Sequence, residues 1–212
     1  MLLSDRDCSQ TSTAPSLEAQ DQQRLHFHHR GEKIPLMTQG VWQVCRGWVQ
    51  LSTTHASGED VLLGWAAASS FFGQWCTRLE MYEATAISDV YLRWFFLSEV
   101  ESSPLLSRSL LTHLNQRLRQ TETLLAIAGQ RRVEDRLHQL LLLLKEEMGQ
   151  NLTTETRLEV RFTHQNLASA IGTTRVTVTR LIGKLQRLGY LRFDNQRHII
   201  LDNQRFEQLE RM

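Results

Sequence analysis

The segment that most restricts this chain is residues 163–188, THQNLASAIGTTRVTVTRLIGKLQRL. Thr163 is placed to N-cap a short helix whose inner face is Leu167, Ala168 and Ile171. Gly172 interrupts that helix, and Thr173-Thr174 supplies the cap of a second one. The spacing of Val178, Leu181, Ile182, Leu185 and Leu188 predicts the buried stripe of the second helix. Two amphipathic helices joined at a glycine make a helix-turn-helix. Ala168 is small where the helices must cross, and Gly172 sits where the turn needs positive φ. The face opposite the stripe is centred on Val176, Arg180 and Gly183, with Thr179 and Lys184 beside it and Arg175 near the N-terminal end. Such a face suits a major groove. Arg175 and Arg180 can fork onto guanine or hold phosphate, and the Val176 methyls match a thymine methyl. Thr163, Thr173, Thr174 and the helix N-terminal amides suit phosphates. His164, Gln165 and Thr177 complete the expected surface.

Charge agrees with a polyanion partner. The chain of 212 residues has a net charge of only +1, but residues 157–197 hold eight Lys/Arg against Glu159 and Asp194. Residues 1–130 carry 10 basic and 13 acidic side chains, residues 131–212 carry 14 and 10. A local basic excess in a near-neutral chain points to nucleic acid. No apolar run approaches the ~18 residues of a membrane span, and the N-terminus lacks the apolar core of a secretory signal. The five leucines 140–144 read as a buried helix. Cys8, Cys45 and Cys76 are odd in number and unpaired by spacing, which excludes a disulfide framework and predicts a reducing, cytoplasmic setting.

The remaining chain divides into a polar segment 1–24, a β-rich domain 25–103, a helix 104–130 and a C-terminal domain 131–212. Between Leu25 and Phe96, short strands (VWQV, WVQLSTT, DVLLGW) alternate with glycine turns, and HASGED fits a hairpin. Most of the five tryptophans, Trp42, Trp48, Trp65, Trp75 and Trp94, are expected in the core of this region. Pro104 opens a helix in which Leu111, Leu114, Leu118, Thr121, Leu125 and Ala128 are spaced 3, 4, 3, 4 and 3. That heptad seam predicts pairing with a second copy, and Gly129 ends it. A second helix, 131–148, buries Val133, Leu137, Leu140, Leu141 and Leu144 and is capped by Gly149. RLEVRF alternates as a half-buried strand at 157–162. Beyond Gly189, YLRF and HIIL flank the turn Asp194–Arg197 as a wing, from which Arg192, Arg197 and His198 would reach DNA backbone.

This order of parts resembles the Crp/Fnr superfamily of bacterial transcription regulators over about residues 25–205. IGTTRVTVTRLIGKL (171–185) is its most specific match, and LNQRLRQTE (114–122) resembles the dimer helix of the superfamily's cyanobacterial nitrogen-regulator (NtcA) branch. The resemblance implies an α+β fold: an N-terminal β-roll sensor of cupin-like, jelly-roll type, a long dimerisation helix, and a C-terminal winged helix-turn-helix. It implies a homodimer bound to palindromic double-stranded DNA, with Arg175, Val176 and Arg180 reading bases, and a partner in RNA polymerase. Valine at position 176 cannot accept from cytosine as glutamate does, so the implied site is of GTA-N8-TAC type. The implied effector surface is Phe72, Gly73, Gln74 and Trp75 with Arg117 and Glu122 of the helix. Cyclic AMP is not expected there, because Gln74-Trp75 follows Phe72-Gly73, Met81 stands where a phosphate-binding arginine is needed and Glu83 would repel a phosphate. For 2-oxoglutarate, Arg117 and Glu122 match the helix pair, but the β-roll arginine is replaced by Met81, with Arg78 nearest. One guanidinium holds a dianion weakly.

Other constellations compete. His26, His28 and Glu32 form an HxHxxxE pattern similar to half of a cupin metal site, which would make the chain a metal-dependent enzyme. The second half is missing. His26, His28, Cys45 and Cys76 could serve a haem or redox sensor, though no spacing favours it, and His29 completes the histidine cluster. No nucleophile–base pair and no phosphate-cradling glycine loop is present, so catalysis is not expected.

Overall fold

The computed structural model describes residues 25–55, 58 and 60–210. The segment 1–24, with Cys8, and residues 56, 57 and 59 of the expected hairpin turn lie outside them. Seven strands come first: β1 (Leu25–His28), β2 (Gly40–Arg46), β3 (Val49–Thr54), β4 (Asp60–Ala66), β5 (Phe71–Phe72), β6 (Tyr82–Ala86) and β7 (Val90–Phe96). They form two antiparallel sheets, β1-β7-β2-β5 and β4-β3-β6. β3 and β4 pair from Thr54↔Asp60 to Val49↔Ala66, the hairpin expected around HASGED. Alternation drives the packing. Val90, Leu92 and Trp94 point inward while Tyr91 and Arg93 do not, and Tyr82, Ala84 and Ala86 alternate with Glu83 and Thr85. Both sheets contribute to one interior, Trp42, Val44, Leu92 and Trp94 meeting Val49, Leu51, Ala66 and Ala84. Of the five tryptophans only Trp75 is exposed.

Helix α1 (Leu97–Ser102) leads into α2 (Pro104–Ala128). Ser103 caps α2, its hydroxyl accepting from Leu106 N, and Pro104 takes the first-turn position where no N–H is needed. Two faces of α2 differ. Leu110, Gln120, Leu124 and Ile127 are buried against the same chain. The heptad leucines face away: Leu111 is 69 %, Leu118 58 % and Leu125 72 % exposed, with Thr121 and Ala128 also exposed and Leu114 half-buried.

Gln120 is the polar exception in the docked face, at 6 % exposure. Its Oε1 accepts from the Trp65 backbone N–H at 2.8 Å, and its Nε2 donates to Glu147 at 3.0 Å. Both ends are satisfied, as burial of an amide requires. A side chain at Gly64 (φ +136°) would run into Gln120 and the Arg117 guanidinium, so the β-roll approaches α2 closely at a residue without a Cβ. Burial pushes the Glu147 pKa above the ordinary carboxylate range.

The C-terminal unit comprises α3 (Val133–Met148), β8 (Gly149–Asn151), β9 (Glu155–Leu158), α4 (His164–Ala170), α5 (Arg175–Arg187), β10 (Leu191–Phe193), β11 (Ile199–Asp202) and α6 (Asn203–Glu210). Its sheet runs β10-β11-β9-β8. Leu137, Leu140, Leu141 and Leu144 are buried as the periodicity requires, and Val133 packs on them half-buried. Three details differ from the sequence expectation. Gly149 ends α3 in extended geometry (φ −82°, ψ 129°) rather than as a left-handed cap; it is needed because a Cβ would meet the Lys145 carbonyl. The strand lies at 155–158, two residues early, although Leu158, Val160 and Phe162 are all buried. Leu188 is half exposed rather than buried, because it is the C-cap beyond the last full turn of α5.

This unit does not close its core alone. Trp48 and Trp65 of the β-roll join Phe162, Leu137 and Leu141 in one apolar cluster. The Trp65 and Phe162 rings meet edge to face at 6.1 Å. The C-terminal unit is therefore packed against the β-rich domain of the same chain.

Candidate nucleic-acid interface

Local capping sets the helix-turn-helix. Thr163 and Asn166 form a reciprocal box: Thr163 Oγ1 accepts from Asn166 N at 3.1 Å, and Asn166 Oδ1 accepts from Thr163 N at 3.0 Å. Gly172 has φ +61°, the left-handed conformation expected of the turn. Thr173 N donates to the Ala168 carbonyl at 3.0 Å, and Thr174 Oγ1 accepts from Thr177 N at 3.2 Å to start α5. Val178, Leu181 and Ile182 are buried against Leu167, Ala168 and Ile171. Thr174→Ala is expected to cost about 1 kcal/mol of stability, read as a lower urea midpoint with unchanged m-value.

The outer face of α5 is open. Val176 is 78 % exposed, and Arg175, Thr179 and Arg180 are exposed with it. Gln165 is exposed at the start of α4. His164 Nδ1 lies 2.8 Å from Thr179 Oγ1, which itself donates to the Arg175 carbonyl. Burial, then the Arg175 charge, lower the His164 pKa, so the ring is neutral near pH 7. Lys184 is exposed on the expected surface, and its ammonium lies 3.2 Å from Glu134 on α3, an ion pair at the surface.

The wing is a true hairpin, with Leu191↔Leu201 and Phe193↔Ile199 in register. Asp194 organises its turn, accepting from Gln196 N and His198 N at 2.8 Å each and from Arg157 Nε at 2.8 Å. Partial desolvation opposes the Asp194 charge, but these donors outweigh it and hold its pKa well below the ordinary carboxylate range. A carboxylate with a depressed folded pKa contributes stability above its unfolded pKa of about 4, lost as pH falls through the folded value. The protection of the Gln196 and His198 amides, taken relative to the intrinsic exchange rate at each pH, is therefore expected to fall below about pH 4, and Asp194→Asn to remove that pH dependence. Arg192 does not reach outward as expected, because its guanidinium is bonded to both Glu155 oxygens at 2.7 and 2.9 Å. Arg197 is exposed at the tip with φ +66°. Arg157 is likewise taken up inside the wing, a role its place in the basic window did not disclose.

The expected effector residues only partly converge. A cavity of about 310 Å³ between the β-roll and α2 is lined by Phe72, Cys76, Tyr82, Leu114, Arg117 and Thr121 among others. Burial lowers the Arg117 pKa and raises those of Cys76 and Tyr82, the last to about 12. Gly73 is packed against Gly40 and Val41, Gln74 donates to the Leu79 carbonyl, and Trp75 is exposed. Glu122 is exposed and outside the cavity lining, because five residues of helix turn it well away from Arg117. Met81 is exposed, and neither it nor Arg78 lines the cavity.

The histidines of the HxHxxxE pattern take separate partners. His28 Nδ1 is 3.7 Å from Glu32, but His26 packs edge-on against Trp42. His29 faces Phe27 and Asp89. Among the described residues no three His, Cys, Asp or Glu side chains are grouped to hold an ion. Among the same residues no helix is long and apolar enough to cross a membrane.

Comparison with known proteins agrees with this geometry. Residues 135–209 match the Crp-like helix-turn-helix domain. The chain is 33 % identical over 157 residues to the global nitrogen regulator of Synechocystis sp., covering 69 % of each chain. It is 32 % identical over 155 residues to that of Nostoc sp., covering 69 % of this chain and 70 % of the relative. The crystal structure of a CRP/FNR-family transcriptional regulator from Thermus thermophilus superposes with a TM-score of 0.71 at 27 % identity, covering 89 % of this chain and 98 % of that one. With the helix-turn-helix, wing, dimer-type helix and β-roll all in place, the chain belongs to the Crp/Fnr family of DNA-binding transcription regulators, is similar to the cyanobacterial nitrogen regulators, and is not an enzyme.

Proposed function

We propose that the protein acts as a homodimer on palindromic promoter DNA of GTA-N8-TAC type, in the cytoplasm, with RNA polymerase as its partner in transcription. The observation that carries the dimer is the solvent-facing row Leu111, Leu118 and Leu125 on a helix whose other face is already buried. Pairing these rows about a two-fold would set two copies of α5 roughly 34 Å apart, one turn of B-DNA. Arg175, Val176 and Arg180 would choose the site, while Thr163, Thr173, Thr174, Thr177 and Arg197 would hold phosphates.

The sensor reading is narrower. The cavity beside α2 offers a single guanidinium, Arg117, with largely apolar walls. That favours neither cyclic AMP nor 2-oxoglutarate as a tight effector. The test is binding by fluorescence anisotropy to a duplex with both half-sites and to one with a single half-site, each with and without 2-oxoglutarate. Strong preference for the double site, unchanged by 2-oxoglutarate, is expected. Equal binding to both duplexes would contradict the dimer, and tightening by 2-oxoglutarate would contradict the reading of the cavity.

A further inference from the structure

We propose that the cavity where β4, α2 and α3 meet binds a small zwitterion of the amino-acid class, with α2 holding the carboxylate and α3 the ammonium. The cavity has a volume of about 440 Å³, within the usual range of small-molecule sites. It is distinct from the cavity of about 310 Å³ described above, and the two linings share only Arg117. Helical period builds it. His113, Gln116, Gln120 and Thr123 form a row on α2, and Leu143, Glu146 and Glu147 form the facing row on α3. Trp65 of β4 and the chain that follows it close the third side.

Charges of both signs line this space without pairing. Arg117 and Arg119 come from α2, Glu146 and Glu147 from α3, and no ion pair takes up any of the four among the described residues. Arg117 spends only Nη1, on the Leu63 carbonyl and Gln120 Oε1. One Glu147 oxygen accepts from Gln120 Nε2 at 3.0 Å, and the other has no partner among the described residues. Arg117 and Glu147 feel one another's charge, yet partial burial still lowers the pKa of the first and raises that of the second. Each therefore lacks a full counter-charge.

A lining of mixed sign selects by repulsion as well as attraction. The two carboxylates repel a dianion, and the two guanidinium groups repel a polyamine. An uncharged ligand would desolvate both walls further and pair neither. A molecule with one carboxylate and one ammonium satisfies both. Guanidinium forks match its carboxylate oxygens, and Glu146 and Glu147 accept from its ammonium. Trp65, Ala67 and Leu143 offer an apolar wall to its side chain. The location gives an occupant a lever. Gln120 ties the Trp65 N–H to Glu147 here, so a bound zwitterion joins the β-rich domain, α2 and the first helix of the DNA-binding unit.

The test is calorimetric titration of the full chain, without DNA, by each of the standard amino acids alone. At least one is expected to bind with one site per chain. Its N-acetyl derivative, which lacks the ammonium, and its α-amide, which lacks the carboxylate, are each expected to bind about tenfold more weakly or worse. Arg119→Gln and the double variant Glu146→Gln, Glu147→Gln are expected to weaken the amino acid by a similar factor. Arg119 and Glu146 are exposed, and glutamine at 147 keeps an oxygen for Gln120, so thermal melts equal to wild type are expected of both. Arg119, Glu146 and Glu147 line this cavity and not the one of about 310 Å³, so variants that bind as wild type does would move the ligand elsewhere and overturn the proposal. So would the absence of binding by every amino acid, or blocked derivatives that bind as well as the parent. Because no DNA is present, the result stands apart from the reading of the palindrome.

Discussion

A Leu118→Asp, Leu125→Asp double variant is expected to be a folded monomer that no longer prefers a palindrome. Both side chains are exposed in the single chain, at 58 % and 72 %, so their replacement leaves the β-roll and C-terminal cores untouched. The buried face of α2, Leu110, Gln120, Leu124 and Ile127, still docks the helix. In a paired seam the four aspartates of two copies would face one another without cations, which costs several kcal/mol per desolvated carboxylate. Sedimentation equilibrium should give the monomer mass with an unchanged far-ultraviolet spectrum. A persisting dimer would mean that a surface other than the heptad row joins the copies.

Arg180→Ala is expected to remove roughly 1–3 kcal/mol of selective binding at each half-site. Arg180 is exposed at the centre of the outer face of α5, and no ion pair holds it among the described residues. Its loss therefore acts on the DNA contact and not on the helix. Arg180→Lys separates the two roles of the guanidinium. Lysine keeps the charge and the salt slope but loses the bidentate fork onto guanine, so selectivity should stay low while non-specific affinity returns. Wild-type selectivity in Arg180→Ala would place a different face of α5 in the groove.

The helix-turn-helix was legible because its determinants are local. Thr163, Gly172 and Thr174 are fixed by capping and turn chemistry within a few residues, and the stripe from Val178 to Ile182 follows helical period. The heptad row was legible for the same reason. What the sequence did not disclose is where long-range partners fall. Arg192 and Lys184 look free in a basic window, yet Glu155 and Glu134, 37 and 50 residues away, take their charges. Glu122 matches a motif position but turns away from Arg117. Gln120 sits inside a helix among polar neighbours, and only the fold shows that it ties Trp65 of the β-roll to Glu147 of α3. The strand pattern points to the tryptophans as core of the β-domain, whereas Trp48 and Trp65 are shared with the C-terminal unit.

The central claim is that α5, presented twice by one dimer, reads a palindrome. Its most direct test is fluorescence-anisotropy titration of the wild-type protein against a GTA-N8-TAC duplex and a scrambled duplex of equal length over a salt series. The account predicts that the palindrome binds tighter at every salt concentration, because base contacts through Arg175, Val176 and Arg180 survive the screening that weakens phosphate contacts. Equal affinities that fall together with salt would contradict it, leaving only a basic surface where a reading helix is claimed.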